Sequence, residues 1–264
     1  MTGRFFAFGD IHANAPALRA ALDLVRRKGG GRIVLLGDLL TYGPDVAEVL
    51  ELVRGATDEG ASLLLGNHDQ LYLDLLGGES PYFDSLPPWI RASAEWTLAQ
   101  LDPELLRSLP FVTELVTDSM IFAHANPFGD WRYLNNTGDL RDAAASVYTM
   151  GLSVGVFGHT HRSCVNRVRP GSNLESACSW GVTWRPAARD EVLLVNAGSV
   201  GQPRHQNAIS SMLEIEIDDH GVRPTIHELR YDVSAHLAAT QGLPFDEETR
   251  RRLCSFFERR RETA

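Results

Sequence analysis

The chain has 264 residues, of which 44% are hydrophobic and 22% charged, and its formal net charge is −9. This composition is typical of a globular protein long enough to bury a substantial core. The negative charge argues against a protein that binds nucleic acid mainly through a basic field. Three scattered cysteines without metal-like spacing indicate reduced thiols and a cytoplasmic protein. No apolar run reaches the roughly 18 residues of a membrane span, and the N-terminus shows no signal-peptide pattern, so we expect no membrane association.

The first third of the chain alternates short apolar runs with amphipathic segments, which is the pattern of an α/β fold. We predict strands at residues 4–8, 33–36 and 62–65, and helices at residues 14–28 and 44–54. Asn14 is the expected N-cap of the first helix, and the glycines at 29–31 end it. Parallel strands joined by right-handed crossovers follow from this order.

The remaining elements are predicted from the same periodicities. Residues 87–109 are expected to be helical, and residues 111–116 and 120–123 to form a hairpin about residues 117–119. A helix at 139–150, with Asp139 as its N-cap, precedes strands at 152–157 and 192–195. Antiparallel strands follow at 210–217 and 223–229. A final helix at 246–261 has an apolar face and a cationic rim, which indicates packing through the apolar face.

Residues of metal-ligand type stand just beyond the carboxyl ends of five predicted strands. In chain order they are Asp10, His12, Asp38, Asn67, His68, His124, His159 and His161. In open α/β sheets this edge is where ligand sites form, so we expect all eight side chains to lie on one side of the sheet.

All of these residues except His68 are ligands that borderline metals accept. Mixed nitrogen and oxygen donors suit Mn, Fe, Zn, Co or Ni, and the lack of a cysteine among them argues against a structural zinc site. Seven donors suit two ions about 3.5–4 Å apart, which share a carboxylate, lower the pKa of bound water and clamp a phosphoryl group. His68 then protonates a leaving oxygen or stabilises charge on the phosphate. Asp69 either orients His68 through its second ring nitrogen or caps a helix.

Five blocks of sequence carry a resemblance to a known family. They are Gly9-Asp10-Ile11-His12, Gly37-Asp38, Gly66-Asn67-His68-Asp69, His124 and Gly158-His159-Thr160-His161. In order and spacing they resemble the signature blocks of the calcineurin-like metallophosphoesterases. The resemblance covers residues 4 to about 230 of a single domain, 1–264, which ends in a helical extension from about residue 231.

Two further stretches, Thr41-Tyr42-Gly43-Pro44 and residues 198–204, resemble the small bacterial phosphodiesterase-like branch of that family. Ala13, Ala197 and His205 depart from the residues usual in the branch. None of the three is a metal position, so activity is expected to persist, while His205 leaves the substrate preference open.

The resemblance implies a role for each block. Asp10, His12 and His161 would hold a first metal ion. Asn67, His124 and His159 would hold a second, Asp38 would bridge the two, and His68 would be the general acid or contact the phosphate. The implied cofactors are two divalent transition-metal ions, Mn, Fe or Zn. The implied α/β fold has two mixed β-sheets packed as a sandwich flanked by helices, in four layers.

We therefore predict a hydrolase that cleaves a small soluble phosphodiester or a nucleotide by in-line attack of metal-bound hydroxide. The alternatives are a phosphomonoesterase, including one of the protein phosphatase type, and a metal-binding scaffold without turnover. The complete set of ligand-type residues disfavours the scaffold. A nuclease would need a basic track to the metals, which the net charge does not favour. The expected partner is thus a small phosphate ester, and the sequence specifies no oligomeric state.

Other residues near the blocks have two interpretations each. Arg204 pairs with a substrate phosphate or makes a plain salt bridge. Asn196 and Ser199 are expected to support the histidine loop through backbone hydrogen bonds. A group of aromatic residues and one arginine either forms a lip that stacks on a nucleobase or anchors loops by packing. This group consists of Trp131, Arg132, Tyr133, Trp180 and Trp184.

Overall fold

The computed structural model describes residues 3–117, 119–169, 175–177, 191–205, 207–219 and 221–258. The strands, in chain order, are β1 (Gly3–Phe8), β2 (Arg32–Leu35), β3 (Ser62–Leu64), β4 (Phe111–Val112), β5 (Glu114–Thr117), β6 (Met120–Ala123), β7 (Val154–Phe157), β8 (Cys164–Val168), β9 (Glu175–Ala177), β10 (Val192–Asn196), β11 (Ser211–Asp218) and β12 (Gly221–Glu228). The helices are α1 (Ala15–Arg27), α2 (Val46–Asp58), α3 (Asn67–Gly77), α4 (Pro81–Ser85), α5 (Pro88–Gln100), α6 (Pro103–Ser108), α7 (Thr137–Thr149), α8 (Val233–Gln241) and α9 (Glu247–Ser255). Among these helices, none combines the length and the apolar character that a membrane crossing needs.

Within the described residues the strands form two mixed sheets of six strands each. The first has the order β12-β11-β1-β2-β3-β4, in which β1 to β4 are parallel and β11 and β12 are antiparallel additions. The second has the order β5-β6-β7-β10-β8-β9, in which β6, β7 and β10 are parallel. The predicted pair of mixed sheets flanked by helices is confirmed.

The two faces of each sheet are buried in different layers, because successive side chains of a strand point to opposite faces. From β1, Phe5 and Ala7 pack against the second sheet, while Phe6 and Phe8 pack against the helices that cover the first. On the far side of the second sheet, Ile121 packs in a cluster with α7. Burial on both faces explains why these strands are continuous apolar runs rather than alternating ones.

Helix ends follow local capping. Asn14 caps α1 as predicted, since its Oδ1 accepts a backbone N–H of the first turn at 3.1 Å. The prediction for α7 is wrong: Asn136 is the N-cap, and Asp139 is the third helical residue, whose carboxylate bonds back to Asn136. The predicted helix 87–109 is two helices, because Asp102 caps a new one at Pro103.

The apolar run at 111–116 is not one strand, contrary to the prediction. Its first part, β4, joins β3 in the first sheet, whereas β5 pairs with β6 in the second, so the chain changes sheets at Thr113. The final helix, α9, ends at Ser255 rather than at residue 261. The sequence pattern does not predict α4, β8 or β9, because short segments carry little periodicity. Helix α8 lies within the helical extension expected from about residue 231.

Candidate functional site

The strand-end residues come together beyond the carboxyl ends of β1, β2, β3, β6 and β7. All eight are buried, and none exposes more than 4% of its surface. They come from both sheets, whose parallel strands direct the following loops to a common edge. Residues more than a hundred positions apart in the chain therefore lie within hydrogen-bonding distance of one another, as His12 and His161 do.

Much of the site is built on left-handed backbone. Its left-handed members are Asp10 (φ 49°), His12 (φ 48°), Asp38 (φ 54°), His159 (φ 63°) and His161 (φ 58°). Such a conformation costs about 1–3 kcal/mol for a residue other than glycine and persists only where the surroundings hold it. Here the Asp10 N–H donates to Gly37 O at 2.9 Å, and the Ser199 hydroxyl donates to Asp10 O at 2.9 Å. The loops thus hold the side chains in one fixed direction.

The first donor cluster consists of Asp10, His12, Asp38 and His161. His161 Nε2 lies 3.2 Å from both Asp10 Oδ1 and His12 Nε2. His12 Nε2 lies 3.7 Å from Asp38 Oδ2. Donor atoms that each stand about 2.0–2.2 Å from one ion are separated by about 3–4 Å, so these spacings suit a single cation.

The second donor cluster consists of Asp38, His124 and His159, with Asn67 beside them. His124 Nε2 lies 3.2 Å from Asn67 Oδ1 and 3.2 Å from His159 Nδ1. It also lies 3.5 Å from Asp38 Oδ2, the oxygen that faces the first cluster. The other carboxylate oxygen of Asp38 accepts the backbone N–H of His68 at 2.8 Å. One fixed oxygen is therefore common to both clusters.

Backbone carbonyls set the tautomers of the four clustered histidines. The contacts are His12 Nδ1 to Leu40 O (2.8 Å), His124 Nδ1 to Leu36 O (2.6 Å), His159 Nε2 to Trp131 O (2.9 Å) and His161 Nδ1 to Gln202 O (2.6 Å). A ring nitrogen that faces a carbonyl must carry the proton, so the other nitrogen of a neutral ring presents a lone pair to the cluster. The lone pairs of His12 and His161 thus face each other at 3.2 Å.

This donor set fits cations. Asp10 Oδ1 is buried and accepts no hydrogen bond from any described residue. Burial raises the pKa of Asp10 to about 7. A divalent cation between this oxygen and the two opposed imidazole lone pairs would satisfy all three groups, whereas an anion would be repelled by them.

The protonation states agree with metal-binding imidazoles. Burial lowers the pKa of His12 and of His159 to about 3, so both rings are neutral. For His124, burial opposes protonation, but the Asp38 carboxylate beside it raises the pKa to about 9. Burial likewise opposes ionisation of Asp38, but His124 and the other nearby imidazoles hold its pKa well below the ordinary value. A cation in the second cluster would take the place of the His124 proton.

His68 stands apart from the two clusters. Its ring is edge-on to that of His12, with centroids 5.3 Å apart. Nδ1 contacts the Thr41 hydroxyl at 2.9 Å, and Nε2 contacts the Tyr42 hydroxyl at 3.2 Å. The Thr41 hydroxyl contacts the hydroxyl of Tyr72 at 2.7 Å as well. Burial lowers the pKa of His68 to about 4, so the ring is a neutral hydrogen-bonding group.

Of the two interpretations of Asp69, the structure shows the helix-capping one. Its carboxylate accepts three backbone N–H groups, from Asp38 (2.7 Å), Leu39 (2.9 Å) and Gly66 (2.9 Å), and the Gly66 contact caps α3. Asp69 therefore holds the Asp38 loop against the start of α3, and the side chain that contacts His68 Nδ1 is that of Thr41.

Thr41 and Tyr42 are the residues whose role the sequence pattern did not reveal. Both have left-handed backbone, with φ of 74° and 72°. This conformation is rare for β-branched and bulky residues, and sequence alone does not disclose it. The Tyr42 N–H is held by the Ser93 hydroxyl at 2.8 Å, so helix α5 maintains the turn that presents both hydroxyls to His68.

Arg204 lies beside the first cluster, where its backbone N–H donates to His161 O at 3.2 Å. Its Nη2 donates to Gln202 Oε1 at 2.9 Å. Burial opposes its charge, but Tyr42, Tyr133 and Asp10 raise its pKa. The alternative of a plain salt bridge has no support, because Arg204 has no carboxylate at ion-pair distance in the described part of the chain.

The supporting residues follow the prediction in part. Asn196 Nδ2 donates to Gly158 O at 2.6 Å, and Ser199 contacts Asp10 O, so both support the site loops through backbone atoms. Trp131 is 40% exposed, and its carbonyl accepts from His159. Trp180 and Trp184 lie outside the described residues.

Two glycines are required where loops pass one another. A Cβ on Gly66 would lie 2.2 Å from Asp38 Oδ1. A Cβ on Gly201 would lie 1.7 Å from Ile11 O, in the loop between Asp10 and His12. Both positions therefore exclude any side chain.

Comparisons with known proteins agree with this geometry. Residues 4–220 match the sequence model of the calcineurin-like phosphoesterase superfamily domain. An uncharacterized protein of Methanocaldococcus jannaschii is 31% identical over 231 residues, 85% of this chain and 86% of its own. The crystal structure of a metallophosphoesterase from Sphaerobacter thermophilus has a TM-score of 0.75 at 28% identity, covering 96% of this chain and 98% of its own. The symmetrical bis(5'-nucleosyl)-tetraphosphatase of Erwinia tasmaniensis is 33% identical over 114 residues, 38% of this chain and 40% of its own.

Proposed function

Because this chain belongs to the calcineurin-like phosphoesterase superfamily, we propose that it is a two-metal phosphodiesterase for a small soluble phosphodiester or nucleotide. The observation that carries the proposal is the single Asp38 oxygen common to two donor clusters. A reducing, cytosolic setting is part of the proposal and is supported by the three scattered cysteines of the sequence, which have no metal-like spacing.

The proposed ligands divide between the two clusters. Asp10, His12 and His161 hold one ion, Asn67, His124 and His159 hold the other, and Asp38 lies between them. When bound, two ions such as Mn, Fe or Zn lower the pKa of coordinated water and neutralise charge on phosphoryl oxygens. The carbonyls that fix the histidine tautomers keep the lone pairs aimed inwards, so the chain needs no rearrangement to receive the ions.

His68 and Arg204 are the proposed substrate-contacting residues. A neutral His68, fixed by the Thr41 hydroxyl, offers an N–H to a phosphate oxygen or to the leaving oxygen. The guanidinium of Arg204 pairs with a phosphate oxygen and compensates charge that develops there. Together they place one hydrogen-bond donor and one cation beside the position of the phosphate.

A diester or nucleotide is favoured over a monoester by similarity. One relative whose name states an activity is a bis(5'-nucleosyl)-tetraphosphatase, and the match covers 40% of its length. The similarity supports the proposal only over that matched region. A phosphomonoesterase is the alternative, and turnover of a diester and a monoester distinguishes the two.

The test is turnover by the chain loaded separately with Mn²⁺, Zn²⁺ or Fe²⁺. Bis(4-nitrophenyl) phosphate is the diester and 4-nitrophenyl phosphate the monoester. We expect the larger kcat/KM for the diester, and loss of turnover in Asp38→Asn. His227→Gln, which alters a histidine paired with Glu214 away from the site, is the control. Absence of turnover with every metal would refute the proposal, and a larger kcat/KM for the monoester would replace the diester by a monoester.

His68→Ala separates the proposed ligands from the proposed donor. The variant is expected to keep its full metal content and to lose most of its turnover, because His68 faces hydroxyl groups rather than a cluster. Elemental analysis of the purified variant checks the metal content. Loss of a metal ion from this variant would make His68 a ligand instead.

A further inference from the structure

Exposed aromatic side chains concentrate at the metal-ligand clusters. The structure describes four aromatic side chains that are more than about one-third exposed: Tyr82 (37%), Trp131 (40%), Tyr133 (41%) and Tyr148 (54%). The first three each contact a residue of the site, and Tyr148 lies on α7. Scattered surface aromatics need no explanation, but three around one buried polar centre indicate a surface that binds a ligand.

Tyr133 has the geometry of a stacking platform. Its ring lies flat on the His159 imidazole, with centroids 4.1 Å apart and planes inclined by 19°. One face of the ring is therefore covered, and the exposed part belongs to the other face and the edge. Trp131 stands beside it, with its ring 5.9 Å from that of His124 at 73°.

The loop that carries both rings is held in place before any ligand arrives. Asn126 Nδ2 donates to Asp130 O at 3.0 Å and to Arg132 O at 2.8 Å. The Trp131 carbonyl accepts from His159 Nε2 at 2.9 Å. A ring fixed in advance loses little conformational entropy when a ligand stacks on it.

The guanidinium of Arg204 lies between Tyr133 and the proposed position of the phosphate. Arg204 lies beside the first cluster, since its backbone N–H donates to His161 O at 3.2 Å and its Nη2 donates to Gln202 Oε1 at 2.9 Å, and Tyr133 is near enough to interact with its guanidinium. Its Nε is buried and has no hydrogen-bond partner among the described residues. A ligand with an aromatic group on Tyr133 and a phosphate at Arg204 therefore spans adjacent parts of one site.

The rim of the site, formed by Tyr82, Trp131 and Tyr133, presents exposed aromatic rings to a ligand. The Tyr82 hydroxyl accepts from Asn67 Nδ2 at 3.0 Å, which ties its ring to the site. Stacking on aromatic faces tolerates any base, because every nucleobase has a π-face.

We propose that the substrate is a nucleotide ester whose base stacks on the free face of Tyr133, with Trp131 beside it and Arg204 on its phosphate. This inference rests on the proposed function, since it assigns the substrate of the same site. Discrimination among bases is weak. An acyl chain or a simple alkyl group gains little from the rim, because it has no planar face to stack.

The test compares two diesters with the same leaving group. They are the 4-nitrophenyl ester of thymidine 5'-phosphate and methyl 4-nitrophenyl phosphate, each assayed with the Mn²⁺-loaded chain. Stacking contributes about 1–3 kcal/mol per base, so the thymidine ester should have a kcat/KM about 5- to 150-fold higher. Tyr133→Leu should lower kcat/KM for the thymidine ester more than for the methyl ester and so remove most of that ratio, with metal content measured on the same sample.

Two variants separate the ring from other effects. Tyr133→Phe keeps the ring and removes the hydroxyl, so it should retain most of the ratio. Tyr148→Leu removes an exposed aromatic ring on α7 and should change neither substrate. If the wild-type chain cleaves the methyl ester but Tyr133→Leu leaves the ratio unchanged, because kcat/KM stays the same or falls equally for both esters, the stacking inference is overturned and the proposed function is not. If the wild-type chain cleaves neither ester, the proposed function fails.

Discussion

Thr41→Val is the substitution that most sharply separates the observed site from the one that the sequence predicts. The change keeps the β-branched shape and removes one buried hydroxyl, which contacts His68 Nδ1 at 2.9 Å and the Tyr72 hydroxyl at 2.7 Å. A buried polar group left without its partner costs about 1–3 kcal/mol. If that cost raises the activation free energy, because His68 is no longer held in its orientation, turnover drops about 5- to 150-fold.

The assay is kcat on bis(4-nitrophenyl) phosphate, with metal content and free energy of unfolding measured on the same sample. Thr41→Val should keep both ions, because the Thr41 hydroxyl contacts His68 and Tyr72 rather than a proposed ligand. Thr41→Ser restores the hydroxyl and should restore most of the turnover.

Asp69→Asn should behave differently. It weakens the hold on the backbone of Asp38, Leu39 and Gly66, and should therefore reduce metal affinity and stability. Wild-type turnover in Thr41→Val, together with loss of turnover at full metal content in Asp69→Asn, would make Asp69 rather than Thr41 the residue that orients His68.

Three further predictions follow from burial and close contacts. Binding of Mn²⁺ to both clusters at pH 7 should release about one to two protons, because His124, with a pKa of about 9, must lose its proton and Asp10, with a pKa of about 7, is about half protonated. Between pH 7 and pH 9 the affinity of the second cluster should rise about tenfold per pH unit. Titration calorimetry in buffers of different ionisation enthalpy counts the protons, and no release would contradict the assignment. Burial lowers the pKa of His236 from 6.5 to about 4, so the unfolded chain is protonated first, and stability is lost as pH falls from 6.5 towards 4. Between pH 7 and pH 5 the free energy of unfolding, measured with urea, should fall by about 2 kcal/mol more for the wild type than for His236→Leu. Equal decreases would exclude protonation of His236 as the cause. Gly201→Ala should destabilise the chain by at least about 3 kcal/mol, because its Cβ would overlap Ile11 O, whereas Gly55→Ala, in the open interior of α2, should stabilise it by about 0.5–1 kcal/mol.

The convergence of the residues that follow the strands was predictable, because the geometry of parallel sheets determines it. Parallel strands bring their carboxyl ends to one edge, so residues such as Asp10, Asp38 and His159 were expected to converge, and they do. The boundary inside residues 111–116 was not predictable, because the apolar run is continuous and nothing in it marks the change of sheet at Thr113.

The surroundings of His68 were beyond the sequence pattern for a different reason. A carboxylate next to a histidine in the chain is a reasonable partner, which is why orienting His68 was one of the two interpretations of Asp69. The observed partner, Thr41, depends on two consecutive residues with left-handed backbone, and on a turn tied to Ser93. Tyr82 likewise reaches Asn67 from α4, a short helix whose position tertiary contacts decide.

The proposed function requires two ions that share Asp38. Anomalous diffraction from a crystal soaked in Mn²⁺ can locate them, because manganese scatters anomalously and each site appears as a separate peak. We expect two peaks per chain, one among Asp10, His12 and His161 and one among Asn67, His124 and His159, both in contact with Asp38. A single peak, or a second peak that does not contact Asp38, would contradict it.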